Sequence, residues 1–85
     1  MRVNVTSNLF NGNLLTGVTF LNTTHSNIAM NNIVGSQNGI FLDAQSSQNT
    51  IVANNVLENV VDIKDNDDNQ FTGNSCQTSE PDNLC

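Results

Sequence analysis

The chain has few of the residues that normally build a small globular core. It contains no Trp and no Tyr, its aromatic content is 5%, and it has one Pro. No apolar run approaches the roughly eighteen residues that a membrane-spanning helix needs. Met1 and Arg2 lead directly into patterned sequence, without the apolar core of a signal peptide. We therefore expect no membrane partner.

Positive charge is nearly absent. Arg2 and Lys64 are the only Lys or Arg residues, against eight Asp and Glu residues, and the net charge is -6. A chain of this charge lacks the positive field that releases phosphate counterions from DNA or RNA. Nucleic acid is therefore excluded as a partner.

Cysteine is also scarce. Cys76 and Cys85 lie close together near the C-terminus. This spacing suits a disulfide that staples the terminus, and such a bond forms in an oxidising compartment. Two free thiols are the alternative.

At 85 residues the chain makes one domain at most and buries only a modest core.

Asparagine, by contrast, is abundant, at seventeen of 85 residues. Because Asn disfavours helix and strand interiors, this enrichment indicates either disorder or a fold that gives Asn a fixed structural role. Periodicity favours the second. The pattern apolar-x-x-Asn-x-apolar recurs roughly every twenty-two residues, with its Asn at Asn8, Asn31, Asn54 and Asn74.

A second element, apolar-x-apolar, follows each of the first three units. Its members are Val18 and Phe20, then Ile40 and Leu42, then Val61 and Ile63. The apolar residues alternate with polar ones over short stretches bounded by turn-forming residues, which indicates strands rather than helices. If each unit is one turn of a coil, equivalent residues stack at the β-sheet spacing of ~4.8 Å. We predict an all-β parallel β-helix of about three and a half coils.

The repeat also predicts the boundaries and the core. The coils occupy residues 1–75, with repeats that start near residues 4, 27, 49 and 69, and residues 76–85 form a C-terminal cap or tail. The predicted core consists of Val5, Phe10, Val18, Phe20, Ile28, Ile33, Ile40, Leu42, Ile51, Val56, Val61, Ile63 and Phe71.

Stacking explains how a small core can bury amides. Each Asn of the first pattern has another Asn in the coil above and below, so its amide donates to one neighbour and accepts from the other. Asn59 lies outside this ladder. Asp43 and Lys64 are a candidate surface ion pair.

The residue before each ladder Asn is small in three units, which predicts a tight inner corner where Met30 needs extra room. A second candidate ladder consists of Asn4, Asn27, Asn49 and Asn69.

The run SNIAMNNIVGSQNGIFLDAQSSQNTIVANNV carries a family resemblance. It is similar to the right-handed parallel β-helix repeats, N-x-I-x-x-N-x-x-x-N-x-x-G-I-x-L, of pectin-lyase-like proteins, especially the NosD-like periplasmic branch. In the third unit Val60 replaces the Gly. The close matches are Asn27, Ile28, Asn31, Asn32, Gly39, Ile40 and Leu42. Because of this replacement the next set matches less well; it consists of Asn49, Ile51, Asn54, Asn55, Val61 and Ile63.

The resemblance covers about residues 4 to 85 and implies a right-handed coil rather than an activity, because this solenoid carries lyases, hydrolases, epimerases and proteins with no known reaction. It implies an extracellular or periplasmic location and makes polysaccharide a candidate partner. Family members usually have more coils, so we expect this chain to be a C-terminal piece of a longer protein. Its open first coil leads us to expect self-association.

Catalytic chemistry has little support in these residues. A lyase needs carboxylates that hold Ca²⁺ and a cationic base, and Lys64 stands alone in the coils. A hydrolase needs carboxylates that converge on one bond. Asp62, Asp65, Asp67 and Asp68 lack the paired motifs of the polygalacturonase relatives. We predict no catalytic residue in this chain.

Metal binding has one candidate. The acidic loop with Asp65, Asp67 and Asp68 resembles the flexible oxygen-rich loops that Ca²⁺ prefers, although it lacks the Gly and Glu of an EF-hand. A solvated turn is the alternative interpretation. Because His25 is the only His and no Met or Cys cluster exists, we expect no other metal site and no cofactor.

The leading functional hypothesis is a non-catalytic β-helix segment, structural or carbohydrate-facing, of a larger secreted or periplasmic protein. The alternative is the C-terminal part of a polysaccharide-acting lyase, hydrolase or epimerase whose active site lies on other coils. A third hypothesis, an accessory protein for metal-centre assembly, follows from the NosD resemblance and is weakened by the shortage of His, Met and Cys.

Overall fold

The structure, a computed structural model, describes residues 3–82, 84 and 85. This part of the chain contains short strands and no helix, hence no helix that could cross a membrane. The strands are β1 (Asn4–Thr6), β2 (Leu9–Asn11), β3 (Thr16–Phe20), β4 (Asn27–Ala29), β5 (Asn32–Val34), β6 (Asn38–Leu42), β7 (Thr50–Val52), β8 (Asn55–Leu57), β9 (Val61–Asp65), β10 (Gln70–Thr72), β11 (Ser75–Cys76) and β12 (Ser79–Glu80).

The strands form three parallel sheets. The first sheet has the order β1-β4-β7-β10, the second β2-β5-β8-β11 and the third β3-β6-β9-β12. Each strand therefore pairs with its equivalent in the next repeat, as Val5 pairs with Ile28 and Ile28 with Ile51. The chain winds into a parallel β-solenoid of about three turns, which confirms the predicted fold class. Because each sheet stacks four strands, the strands are assigned to a first, second, third and fourth coil, counted from the N-terminus. The last strand, β12, lies within the segment 76–85 that was expected to form a cap or tail.

The core runs along the axis of the solenoid. Its buried side chains are Val18, Phe20, Ile28, Ile33, Ile40, Leu42, Ile51, Val56 and Ile63. Val5, Phe10 and Phe71 lie at the two ends of their sheets and are only partly buried against this cluster. Burial is complete in the middle coils because apolar side chains stack there on both sides, whereas an end coil has a neighbour on one side only.

The third sheet departs from the predicted register. Ile63 pairs with Ile40 and Asp65 pairs with Leu42, so the predicted alignment of Ile63 with Leu42 is wrong. Val61 pairs with Asn38, is half-buried and lies outside the core cluster. The cause is the corner between the second and third sheets, which has the same length in the second and third coils and so keeps the spacing of β5 and β8.

The corrected register also moves the residue that replaces glycine. Gly39 precedes Ile40, and Asp62 precedes Ile63, so Asp62 rather than Val60 takes the place of Gly39. Gly39 is required where it stands, because a Cβ there would lie 2.5 Å from the Asp62 carbonyl oxygen and from Val56 Cγ1.

The predicted asparagine ladder is present at the corner between the first and second sheets. Asn31 and Asn54 are each 2% exposed and Asn74 is 8% exposed. The backbone N and the Nδ2 of Asn31 both donate to Asn54 Oδ1 at 3.0 Å. The Nδ2 of Asn54 donates one proton onward to Asn74 Oδ1 and the other back to the Ile28 carbonyl, both at 2.9 Å, so one side chain joins three consecutive coils.

The residue before each ladder Asn does not lie in the tight inner corner that the sequence predicted. Ser7, Met30, Ala53 and Gly73 all have positive φ, between 56° and 65°. In this left-handed conformation the side chain points to solvent, and Met30 is 61% exposed. Met30 therefore needs no room inside the coil, and the expected tight inner corner is wrong. Of the four residues only Gly73 lacks the Cβ that strains a left-handed backbone.

The second predicted ladder divides between two columns. Asn4 and Asn27 stack on the outer surface with Thr50 and Gln70, whereas Asn49 and Asn69 occupy the column of Ser26. In that inner column Asn49 is fully buried, and its Nδ2 donates to Asn69 Oδ1 at 2.8 Å and to the Thr23 carbonyl at 2.9 Å. The bonds repeat the geometry of the main ladder.

A third corner uses the same chemistry. The Nδ2 of Asn59 donates to the Ile33 carbonyl at 3.1 Å and to Asp62 Oδ1 at 3.0 Å, and Asn59 Oδ1 accepts from the Ser36 backbone N at 2.8 Å. Asn59, expected to lie outside any ladder, therefore bridges coils as well. Asn-type bridging thus occurs at all three corners of the triangular coil.

Candidate functional site

The outer surface of the first and second sheets forms one continuous face without charge. We call it the uncharged face. Among the residues that the structure describes, it contains no Asp, Glu, Lys or Arg in any coil. Its outward residues on the first sheet are Asn4, Thr6, Asn27, Ala29, Thr50, Val52, Gln70 and Thr72. The corner adds Ser7, Met30, Ala53 and Gly73, and the second sheet adds Leu9, Asn11, Asn32, Val34, Asn55, Leu57 and Ser75.

Exposed amides on this face are aligned by their own hydrogen bonds. Asn27 Nδ2 donates to Asn4 Oδ1 at 2.9 Å on the first sheet, and Asn55 Nδ2 donates to Asn32 Oδ1 at 3.2 Å on the second. Each pair still has unused donors and acceptors that face solvent. Because parallel coils repeat at ~4.8 Å, these groups form regularly spaced rows. Such rows can hydrogen-bond the hydroxyls of an extended, neutral ligand.

The charged residues lie on the other side of the molecule. Lys64 Nζ lies 3.4 Å from Glu80 Oε1 on the outer surface of the third sheet. Lys64 pairs with Phe41 in the sheet, so the expected Asp43–Lys64 ion pair is wrong. Asp43 instead accepts from Ser46 Oγ in its own turn at 2.6 Å and from the Asn22 backbone N of the preceding coil at 3.1 Å. The Ser46 hydroxyl is the main reason that the pKa of Asp43 lies below its usual range.

Asp62 is a buried carboxylate that the sequence analysis did not single out as structural. It is 1% exposed. Its Oδ1 accepts from the backbone N and the Nδ2 of Asn59, both at 3.0 Å, and its Oδ2 accepts from the Gln77 backbone N at 2.8 Å. Asp62 therefore ties the third coil to the fourth. In the sequence, Asp62 can be identified because it takes the position that Gly39 has in the preceding coil. This match is visible only when the strands are aligned in the correct register.

The acidic loop does not gather its three carboxylates into a site. Asp65 Oδ1 accepts from Asn69 Nδ2 at 2.7 Å, while Asp67 Oδ1 accepts from the Asp68 backbone N at 2.8 Å. Burial is the main cause of a raised pKa at Asp65, and the nearby charges of Asp67 and Asp68 add to it. Among residues 3–82, 84 and 85 there is no group of three or more His, Cys, Asp or Glu side chains that could hold a metal ion.

The soft metal donors are dispersed or already bonded. His25 is exposed in the turn between the third and first sheets, and Met30 is exposed at the next corner along the chain. Cys76 and Cys85 form a disulfide with Cα atoms 5.8 Å apart, as predicted from their spacing. Met1 lies outside the described residues. Within the described part of the chain, His25, Met30 and the two cysteines do not form the clustered His, Cys or Met set that binds copper in proteins.

Two clefts lie at the two ends of the solenoid. The first-coil cleft has a volume of about 510 Å³ and is lined mainly by apolar residues, among them Val3, Val5, Phe10 and Phe20. The fourth-coil cleft has a volume of about 610 Å³ and lies beside the disulfide, where Glu80 and Asp82 contribute carboxylates to its lining.

The parallel sheets, the buried asparagine ladders and the uncharged face define this chain as a parallel β-solenoid repeat protein. A family model described as "Periplasmic copper-binding protein (NosD)" matches residues 1–82. The chain therefore belongs to the NosD family, as its repeats suggested. No curated protein and no solved structure matches the sequence significantly. The family is described as periplasmic, and the disulfide is consistent with an oxidising compartment.

Proposed function

We propose that this chain is a non-catalytic, structural β-solenoid segment of a periplasmic protein and that its uncharged face lies against a neutral carbohydrate. The observation that carries the proposal is the unbroken extent of that face over two sheets and all coils. A scaffold needs a regular, satisfied backbone, and the ladders supply it at every corner. A neutral glycan needs rows of donors and acceptors without charge, and the aligned amides offer them.

The charge distribution favours a neutral glycan over an acidic one. The protein has a net charge of -6, so an acidic polysaccharide would be repelled. Asn27 and Thr50 occupy the centre of the first sheet, where a bound chain would make most of its contacts. We propose them as contact residues.

The family description names copper, and the described residues do not fit a copper centre built from this chain alone. His25 and Met30 lie at different corners, and no free cysteine is found in residues 3–82, 84 and 85. The proposed function therefore rests on the uncharged face and assigns no role to copper.

Binding to a panel of neutral and acidic oligosaccharides tests this function. We expect neutral glycans to bind and acidic ones to bind at least tenfold more weakly at low salt. Asn27→Glu places a charge in the centre of the uncharged face and is expected to weaken neutral-glycan binding. Thr19→Glu, on the outer surface of the third sheet, is the matched control. Absence of binding to every neutral glycan, or equal weakening by both variants, would contradict the proposal.

A further inference from the structure

The Cys76–Cys85 disulfide lies in the wall of the fourth-coil cleft. Both cysteines line this cleft of about 610 Å³, together with Glu80 and Asp82. A cleft of this volume is large enough to hold a small molecule or a side chain of another protein. The disulfide is therefore not sealed inside the solenoid.

The two cysteines differ in exposure. Cys85 is exposed, whereas Cys76 is half-buried and packs against the apolar core. Thiol–disulfide exchange begins when a thiolate attacks a sulfur that it can reach, and exposed disulfides are the ones that exchange readily. Cys85 Sγ is therefore the atom that an incoming thiolate attacks, and Cys76 is the leaving group.

Two carboxylates set the charge of the cleft. Glu80 Oε1 lies 3.4 Å from Lys64 Nζ, while Asp82 is exposed and forms no ion pair with the described residues. Because Lys64 offsets one carboxylate, the cleft wall keeps a net negative charge. The attacking thiolate and the leaving thiolate are both negative, so this wall raises the cost of exchange. A positive group on the incoming thiol offsets that cost.

The first part of the tail is held without the disulfide. The backbone N atoms of Gln77 and Thr78 donate to Asp62 Oδ2 at 2.8 and 3.2 Å. Thr78 Oγ1 accepts from the Asp62 backbone N at 2.9 Å. β12 then pairs with β9. These contacts keep this part of the tail on the third coil whether the disulfide is closed or open.

The part of the tail after β12 depends on the disulfide. Leu84 packs against the core, and its backbone N donates to Ser79 Oγ at 3.3 Å. This packing and this long hydrogen bond are weak compared with the covalent link between Cys85 and Cys76. Opening the disulfide therefore releases Leu84 from the core and leaves the coils folded.

We propose that Cys76–Cys85 is an exchangeable disulfide, attacked at Cys85 Sγ from the fourth-coil cleft, and that this cleft selects thiols that carry a positive charge. The sulfur of the incoming thiolate bonds to Cys85 Sγ, the bond to Cys76 breaks, and Cys76 leaves as a thiolate that takes a proton from water. A second thiol then attacks the sulfur of the first. Cys85 leaves as a thiol, and the two reagent molecules, having supplied two electrons, become one disulfide.

The exchange controls the position of the tail after β12. This segment is closed over the core when the disulfide is formed and is released when the disulfide is reduced. The inference goes beyond the proposed function and does not depend on it.

Exchange rates with small thiols of different charge test the selection. Cysteamine is positive, 2-mercaptoethanol is neutral and mercaptoacetate is negative. Each rate is divided by the rate of the same thiol with a small uncharged disulfide, which removes differences in intrinsic reactivity. On this normalised scale we expect cysteamine to react at least about tenfold faster than mercaptoacetate at low salt, with a smaller ratio at high salt. Equal normalised rates at low salt would overturn the proposal.

A matched pair of double variants separates the cleft from the overall charge of the protein. Glu80→Gln with Asp82→Asn removes both cleft carboxylates and should bring the normalised rates of the positive and negative thiols within about twofold. Asp67→Asn with Asp68→Asn removes two exposed carboxylates outside the cleft lining and should keep the ratio of the parent chain. An equal loss of selection in both variants would overturn the role of the cleft.

The attacked sulfur and the released segment are measured separately. In exchange with cysteamine that is quenched early, peptide mass spectrometry should find the reagent on Cys85 and a free thiol on Cys76, and the reverse assignment contradicts the proposal. In the fully reduced chain, amide protons after β12 should exchange faster, while the backbone N–H groups of Asn31 and Asn54 stay protected by the ladder. Loss of that ladder protection would overturn the local release of the tail.

Discussion

At the scale of single residues, buried amides replace much of the hydrophobic core that this chain lacks. Asn31, Asn49 and Asn54 are at most 2% exposed. Burying an amide without partners costs roughly 1 to 3 kcal/mol by protein mutational measures. Here repetition removes that cost, because each amide bonds to the coil before it and the coil after it. The stability of each rung therefore depends on its neighbours.

Asn54→Leu tests this dependence. The change removes a partner of three groups, the backbone N of Asn31, the Nδ2 of Asn31 and the carbonyl of Ile28, and each stranded group costs roughly 1 to 3 kcal/mol. We expect a total loss of at least about 3 kcal/mol and a fall in Tm of more than about 12 °C. Asn55→Leu, at the adjacent exposed position, should change stability by less than ~0.5 kcal/mol. Equal Tm values for the two variants would contradict the ladder account.

Asp65 gives a prediction for pH dependence. Its pKa is raised in the folded state, chiefly by burial, so folding favours the protonated carboxyl. The stabilising contribution is present below the ordinary value of 3.8 and is lost as pH rises through the folded pKa. We therefore expect Asp65→Asn to raise the Tm at pH 7 and to flatten the stability profile above pH 4.

Thermal melts of both proteins between about pH 4 and 7 measure this effect. Asp82→Asn removes one exposed carboxylate without a bond to the coil and serves as the control. If Asp65→Asn lowers the Tm at pH 7, the hydrogen bond from Asn69 outweighs the cost of burial and the prediction is wrong.

At the scale of elements, the three corners differ in how much they vary. The corner between the first and second sheets has the same length in every coil, with a left-handed residue followed by a ladder Asn. The turn between the third and first sheets changes length from coil to coil and contains His25, Asp43 and the acidic loop. A constant corner holds the ladder in register, so changes in length are accommodated at the variable turn.

The constant corner predicts opposite effects for two reciprocal substitutions. A left-handed backbone costs a non-glycine residue about 1 to 2 kcal/mol, whereas glycine adopts it freely. Ala53→Gly removes this strain and is expected to stabilise the protein by up to about 1 kcal/mol. Gly73→Ala introduces the strain and is expected to destabilise it by about 1 kcal/mol.

Chemical denaturation of the two variants provides the measurement. Ala44→Gly is the control, since Ala44 is exposed and does not have positive φ. There the substitution increases unfolded-state entropy without relieving strain, so a loss of about 0.4 to 1 kcal/mol is expected. Destabilisation by Ala53→Gly of the same size would show that corner strain is unimportant.

At the scale of the whole molecule, the solenoid is uncharged at one end and acidic at the other. Residues 3–42 contain no charged Asp, Glu, Lys or Arg, and the acidic residues begin at Asp43. The acidic end is also the end closed by the tail, where Leu84 packs on the core.

The disulfide should make a measurable contribution to the stability of the whole solenoid. By chain-entropy arithmetic, closing so short a loop is expected to stabilise the fold by about 2 to 3 kcal/mol. Reduction of Cys76–Cys85 should therefore lower the Tm by roughly 10 to 20 °C. The variant with Ser at both positions should melt at the reduced value and be insensitive to reductant. An unchanged Tm on reduction would show that the tail does not stabilise the coil.

The repeat of Asn8, Asn31, Asn54 and Asn74 was sufficient to predict the solenoid, because stacking amides and alternating apolar residues follow a period that can be read directly from the sequence. The core was predicted for the same reason, except for Val61. Val61 was wrongly assigned because Val61-x-Ile63 resembles Ile40-x-Leu42 when the two strands are shifted by two positions. Only the length of the preceding corner decides which residues pair.

The sequence by itself determined a β-solenoid with an Asn at one corner of each coil and a stapled C-terminus. Only the tertiary structure decided the bridging roles of Asn59 and Asp62, the outward direction of Met30 and the separation of Asn4 from Asn49. Those features depend on how three sheets meet at corners of unequal length. A one-dimensional period records which residues repeat, whereas the backbone conformation at each corner sets which of them face one another across coils.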